Sequence, residues 1–210
     1  MRFILSITLL TLFNHLNAQH IVGIKGGMNI VGYDAEVYAR QPLNTINRAI
    51  GGLTYDYKLN DHWSLGAGLV YNQRGRSIRF TFTDEHGDVV AYDQIEHKMD
   101  YLSIPLGINY KTSGTVFAFA GIAFMPSIIM NSEWVFAPSL GVPSGPENRK
   151  NYNPMDWGGM AELGIGYKIS EQFSIQLAGG YQRGYTKLKN HDMTLKHYGY
   201  MATLGLKYSL

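Results

Sequence analysis

Ala161-Glu162-Leu163-Gly164-Ile165-Gly166-Tyr167-Lys168-Ile169 places an apolar side chain at every second position, with glycines and charges between. A period of two marks a strand with two unlike faces. After Ser170-Glu171-Gln172 the pattern resumes, with Phe173, Ile175, Leu177, Gly179 and Tyr181 on one face and Ser174, Gln176, Ala178, Gly180 and Gln182 on the other. It comes a third time in Tyr198, Tyr200, Ala202, Leu204, Leu206, Tyr208 and Leu210, against Gly199, Met201, Thr203, Gly205, Lys207 and Ser209.

Alternation alone also fits a soluble sandwich or a lipocalin-like ligand-binding barrel. Strand length and the chemistry of the strand ends separate these from a membrane barrel. From Phe173 to Tyr181, and from Tyr200 to Tyr208, there are eight residue steps. At ~3.3 Å per residue and a tilt of ~40° the rings stand ~20 Å apart in height, close to the ~25 Å apolar band of outer-membrane barrels. The apolar face is therefore read as facing lipid.

Working outward, eight segments carry the pattern, at 21–32, 49–59, 63–82, 92–111, 116–130, 156–169, 173–187 and 194–210. Short connections (Asn60-Asp61-His62, Lys111 to Thr115, Ser170-Glu171-Gln172) alternate with longer ones (Tyr33 to Arg48, the Asp84-Glu85-His86-Gly87-Asp88 turn, Asn131 to Met155, Leu188 to Met193). This predicts an all-β fold, an eight-stranded antiparallel up-and-down transmembrane barrel with short turns and both termini on the periplasmic side. An interfacial girdle requires an outward aromatic on each side of every short turn, and Tyr57, Trp63, Tyr110, Phe117, Tyr167 and Phe173 are assigned to it. In Val116 to Ile122 both faces are apolar, so the fifth strand takes its register from Phe117 alone. Pro105 and Pro126 interrupt strands of a barrel with no edge, and each is expected at a bulge or a strand end.

At the other end, Met1-Arg2, an apolar run from Phe3 to Phe13 and a polar stretch closing on Ala18 form the three parts of a secretory signal peptide. Residues 1–18 are expected to be removed, leaving 19–210 as one barrel domain. The chain contains no cysteine, hence neither disulfides nor a thiol for lipid or metal. A formal net charge of +2, reduced further when Arg2 leaves with the leader, argues against a nucleic-acid partner.

Three stretches point to a family. The opening Gly23-Ile24-Lys25-Gly26-Gly27-Met28-Asn29, YLSIPLGINYK at Tyr101 to Lys111, and GMAELGIGYKISEQFSIQLAGGYQRGYTKL at Gly159 to Leu188 resemble the PorT-like outer-membrane barrels of Bacteroidetes. The resemblance spans the mature chain and implies the outer membrane as location. It also implies a structural or interaction role, as an accessory of a secretion or gliding machinery. It carries no catalytic motif.

Candidate chemistry is sparse. His86 with Asp84 and Asp88, and His191 with Asp192, are the acids and histidines at the outer mouth, but Gly87 flanked by acids is what a hairpin tip requires. Arg74, Arg76 and Arg79 suggest a grip on lipopolysaccharide phosphates, although parity turns only Arg79 outward. Glycine pairs such as Gly66 and Gly68, or Gly164 and Gly166, precede no helix and serve to relieve crowding on the inner wall. The loop Asn131 to Met155 holds Pro138, Pro143, Pro146 and Pro154 with Trp134, Phe136 and Tyr152, and either binds a partner or folds over the mouth.

No catalytic, cofactor-binding or metal residue is assigned, no cofactor is expected, and the chain is read as a non-enzymatic, monomeric barrel. Its expected partners are outer-membrane lipid and a protein met through the extracellular loops or the periplasmic rim. An outer-membrane enzyme with a site at the extracellular mouth is the rival function, and a soluble lipocalin-like barrel the rival fold. A transport pore is disfavoured, because side chains just fill an eight-stranded interior. Inside, Lys25, Asp56, Lys58, Arg74, Glu162, Lys168 and Lys207 share the inward parity. Glu162 is expected to pair with Lys25, Arg74 or Lys207, and Asp56 with another cation.

Overall fold

In the computed structural model, which describes residues 19–36, 43–137, 143–146, 153–186, 188–190 and 193–210, the alternating segments form one closed sheet. Eight long strands build it: β1 (His20–Glu36), β2 (Ile46–Lys58), β3 (Trp63–Thr83), β4 in two pieces (Val89–Ser103 and Leu106–Lys111), β5 (Val116–Phe136), β6 (Met155–Lys168), β7 (Phe173–Gly184) and β8 (Met193–Ser209). Each pairs antiparallel with its chain neighbour, and β1 pairs with β8 from Ile21↔Ser209 to Glu36↔Thr194. That last pairing closes the ring and removes the edges an open sheet would expose. Three strands of two or three residues, Leu43–Asn44, Gly145–Pro146 and Leu188–Asn190, pair with β3, β5 and β8. The expected leader, residues 1–18, lies outside the described residues.

The exterior is apolar. Leu163 is 70% exposed and Ile122 65%, with Ile24, Met28, Leu53, Leu177 and Leu204 each more than half exposed. The inward face carries Asn29, Asp56, Asn72, Arg74, Gln182 and Thr203, all buried. A soluble ligand-binding barrel has the opposite polarity, and that reading is set aside. The outward apolar groups need a solvent other than water, and a bilayer supplies one.

Five of the six girdle assignments agree with this exposure. Trp63 lies opposite Tyr110 in the ladder with ring centroids 5.0 Å apart. Phe173 lies opposite Tyr208 at 4.8 Å, Tyr57 meets His20 at 5.4 Å, and Tyr167 is half exposed. Phe117 corrects the sixth: it is 4% exposed and points into the barrel, while Val116, 66% exposed, sits opposite Tyr167. The physical reason lies on the neighbouring strand, where a Cβ at Gly166 would collide with the Phe117 ring and one at Gly164 with Phe119. Two glycines hollow the inner wall, and two phenyl rings fill the hollow.

The prolines behave differently from one another. Pro105 interrupts β4, as expected, while Pro126 lies inside unbroken β5 and corrects the expectation of a bulge or strand end there. Ile104 N donates to Pro126 O at 2.8 Å, so the side on which Pro126 cannot donate is the side already interrupted at Ile104-Pro105. One weak point in the ladder thus serves both residues. The bulge falls nearby instead, at Met130, between the pairs Tyr101↔Ile129 and Asp100↔Asn131. Beyond it β5 continues to Phe136, because β4 still offers partners up to Ile95. Residues 131–136, expected as loop, are therefore strand.

Candidate functional site

The lumen divides into a packed outer half and a hollow inner half, on the long-connection and short-turn sides respectively. In the outer half Arg74 is fully buried, and its Nη1 donates to Asp156 Oδ2 at 2.7 Å while Nη2 donates to Ser127 Oγ at 3.0 Å. The Tyr101 ring lies 4.5 Å from the guanidinium carbon, and His197 Nδ1 lies 3.3 Å from the same Asp156 oxygen. A Cβ at Gly184 would overlap the His197 imidazole, so β7 gives way to let that ring lie flat against it. Ser103 and Ser127 complete the layer at 2.8 Å.

Next to it runs an amide ladder. Asn29 Nδ2 donates to Asn72 Oδ1 at 2.7 Å, and Asn72 Nδ2 donates to Gln182 Oε1 at 2.7 Å, which joins β1, β3 and β7 across the interior. Ile50, Val70 and Met201 pack together as an apolar layer with Met160 against it, and Tyr33, Met99, Tyr101 and Ile129 form a second. Buried amides and charges of this kind hold only when each has a partner. Here each residue finds another across the barrel, while Asn29 Oδ1, Arg74 Nε, Asp156 Oδ1 and His197 Nε2 are left without a hydrogen-bond partner among the described residues.

Toward the short turns the lumen opens. Lys25 Nζ bonds Glu162 Oε1 at 2.7 Å, as parity indicated, and Lys207 Nζ bonds Asp56 Oδ2 at 2.6 Å. Asp56 Oδ1 accepts a further hydrogen bond from Asn109 Nδ2 at 2.7 Å. Beyond these pairs lies a cavity of about 210 Å³ that Lys58, Lys111 and Lys168 also line. The expectation that side chains fill the interior holds for the outer half and fails here, at the cavity.

The outer-mouth candidates resolve as parts of the wall and its turns. Asp84 Oδ1 accepts hydrogen bonds from the backbone N–H groups of His86 and Asp88, both at 2.9 Å, and Gly87 takes φ +85°, so this acid-histidine group is a turn. His191, Asp192, Pro138 and Tyr152 lie outside the described residues. Arg74 and Arg76 are buried inside, and Arg79 alone of the three is exposed. Trp134 stacks on His97 at 4.4 Å, with Arg76 5.9 Å from its ring, so this aromatic belongs to the inner wall rather than to a displayed loop. Pro146 and Gly145 pair with Glu133 and Trp134, and Pro154 O accepts from Ile129 N at 3.1 Å. Among the described residues no group of three or more histidines, aspartates or glutamates is placed to hold a metal ion.

Sequence reading overlooked Asp156 and His197 as partners of Arg74. Both carry the inward parity of their strands, Asp156 with Glu162 and His197 with Met201 and Thr203. Parity was the available signal; which inward residues share a level required the register.

A closed ring of eight antiparallel strands, apolar outside and polar within, defines an integral β-barrel of the outer membrane. The chain belongs to the family of the outer membrane protein beta-barrel domain, whose model matches residues 17–190. Among solved structures it is similar to Neisserial surface protein A, at 10% identity and a TM-score of 0.50, covering 90% of this chain and 97% of that one. It is likewise similar to OprG from Pseudomonas aeruginosa, at 14% identity and 0.50, covering 92% and 96%. AlkL, solved in lipid bilayers, matches at 12% identity and 0.50, covering 92% and 91%. Such identities speak for the fold alone. No curated protein matches the chain.

Proposed function

We propose that this barrel is a structural or interaction component of the outer membrane, without enzymatic activity, acting through its rims. The observation that carries the reading is the packed outer half of the lumen, where Arg74 is paired with Asp156 and Asn72 with Gln182, all four buried. A side chain so committed is not free for substrate. The resemblance to PorT-like barrels favours the finer role, an accessory of a secretion or gliding machinery that meets its partner through the extracellular loops or the periplasmic rim. In this reading residues 1–18 are cleaved as a signal peptide, the barrel is monomeric, and its short turns and termini face the periplasm.

Copurification from native membranes in mild detergent tests the role. A partner belonging to the secretion machinery should be retained by the intact barrel and lost when the connection at residues 137–153 or the short turns are replaced, with heat-modifiable gel mobility unchanged. A barrel that copurifies with lipid alone, and whose deletion leaves secretion and gliding intact, would refute it.

A further inference from the structure

The short-turn end of the lumen carries a repeat that barrel architecture does not demand. Three strands that run toward the short turns end in the same dipeptide, Tyr57-Lys58, Tyr110-Lys111 and Tyr167-Lys168, and the fourth ends in Lys207-Tyr208. Each tyrosine turns outward, and each lysine lines the luminal cavity. The outward ring is explained by the membrane interface. The inward ring of ammonium groups is not.

Charge in this cavity is unbalanced. Five lysines line it, Lys25, Lys58, Lys111, Lys168 and Lys207, against Asp56, Glu162 and, on the turn at the rim, Glu171. Lys25 and Lys207 are committed to Glu162 and Asp56. Among the described residues Lys58 has only a neutral partner, the Ser209 hydroxyl at 3.0 Å. Among the described residues the Lys111 and Lys168 ammonium groups have neither hydrogen bond nor ion pair; Lys111 is half-buried, and Lys168 is exposed at the mouth of the cavity. Like charges confined by a low-dielectric wall repel, and the field they set up draws in counter-anions.

We propose that this vestibule binds a small multivalent oxyanion of the phosphate class, held by Lys58, Lys111 and Lys168. An ammonium group binds phosphate as a point charge through charge-assisted hydrogen bonds, and several of them converging from different strands suit an anion with several oxygens better than a halide. A cavity of about 210 Å³ admits a phosphate or pyrophosphate and no folded segment. Ser64, Thr54 and Ser174 on the same lining offer hydroxyl donors. Because the cavity lies inside the wall, the ligand is a free anion entering from the short-turn side rather than the headgroup of a surrounding lipid.

Titration of the refolded barrel with pyrophosphate, in a detergent without phosphate and followed by calorimetry, tests the assignment. Saturable binding at one site is expected, with Lys111→Gln and Lys168→Gln each weakening it about tenfold, as the loss of one charge-assisted contact implies. Lys98→Gln, on the far half of the barrel beside Glu133, should leave the affinity unchanged. Glu171→Gln, which removes the rim acid, should tighten it severalfold. All variants should keep the gel shift of the folded barrel, since none breaks a buried pair. Absence of saturable binding, equal affinity in the Lys111→Gln/Lys168→Gln double variant, or displacement by phosphatidylglycerol in nanodiscs would each overturn the luminal site.

Discussion

Two Arg–Asp pairs in this barrel share a 2.7 Å contact and differ in burial, which makes them a controlled comparison. Arg74–Asp156 has side chains 0% and 2% exposed, whereas Arg183–Asp34 has 43% and 50%. Asp156→Asn leaves a guanidinium without its counter-charge inside the wall, with the neutral Ser127 hydroxyl and the Tyr101 face as remaining partners. Breaking a buried pair from one side costs ~3–5 kcal/mol, while an exposed pair is worth ~1 kcal/mol or less. Asp34→Asn is thus the matched control. Reversible urea unfolding in phosphatidylcholine bilayers, read by tryptophan emission, should separate the two variants by at least ~2 kcal/mol. Arg74→Met/Asp156→Leu, which removes both charges, should recover most of the loss. If Asp156→Asn costs no more than Asp34→Asn, the buried cluster does not hold the outer half of the lumen closed.

Further outcomes follow from single contacts. Glu162→Gln strands Lys25 at a partly wet level of the lumen and should cost ~1–3 kcal/mol, lowering the temperature at which the folded gel band converts; Glu171→Gln in the exposed turn should not move it. Gly166→Val should destabilise by ~1–3 kcal/mol or more by driving a side chain into the Phe117 ring, and Phe117→Ala in the same chain should relieve part of that cost. Phe117→Ala should destabilise by ~3–5 kcal/mol, far more than Val116→Ser, because the first empties a buried, packed position and the second substitution lies at the interfacial girdle.

The barrel itself was legible because its strands alternate and its short turns are flanked by rings, two signals that agree at five of the six girdle positions. They part at the fifth strand. In Val116 to Ile122 both parities are apolar, and the choice between Val116 and Phe117 depends on Gly164 and Gly166, residues that become neighbours only through pairing. Lys25–Glu162 and Lys207–Asp56 were within reach because a carboxylate facing a narrow lumen needs a cation and few were available. Arg74–Asp156–His197 was beyond reach for the converse reason: these residues lie on three strands far apart in sequence, and parity shows direction but not level. The extension of β5 to Phe136 escaped notice because a proline-rich stretch follows it, although the decisive factor is the length of its partner β4.

A membrane-spanning barrel requires its outward face to meet hydrocarbon, and the three tryptophans report on that contact directly. Trp63 and Trp157 are outward and 42% and 44% exposed, near the short-turn and long-connection ends of the wall, whereas Trp134 stacks on His97 within the inner wall. In single-tryptophan variants folded into bilayers, brominated acyl chains should quench Trp63 and Trp157 strongly and leave Trp134 nearly unaffected. Trp63 and Trp157 emission insensitive to brominated lipid, in a barrel that also stays monomeric and folded without detergent, would contradict the membrane-spanning fold.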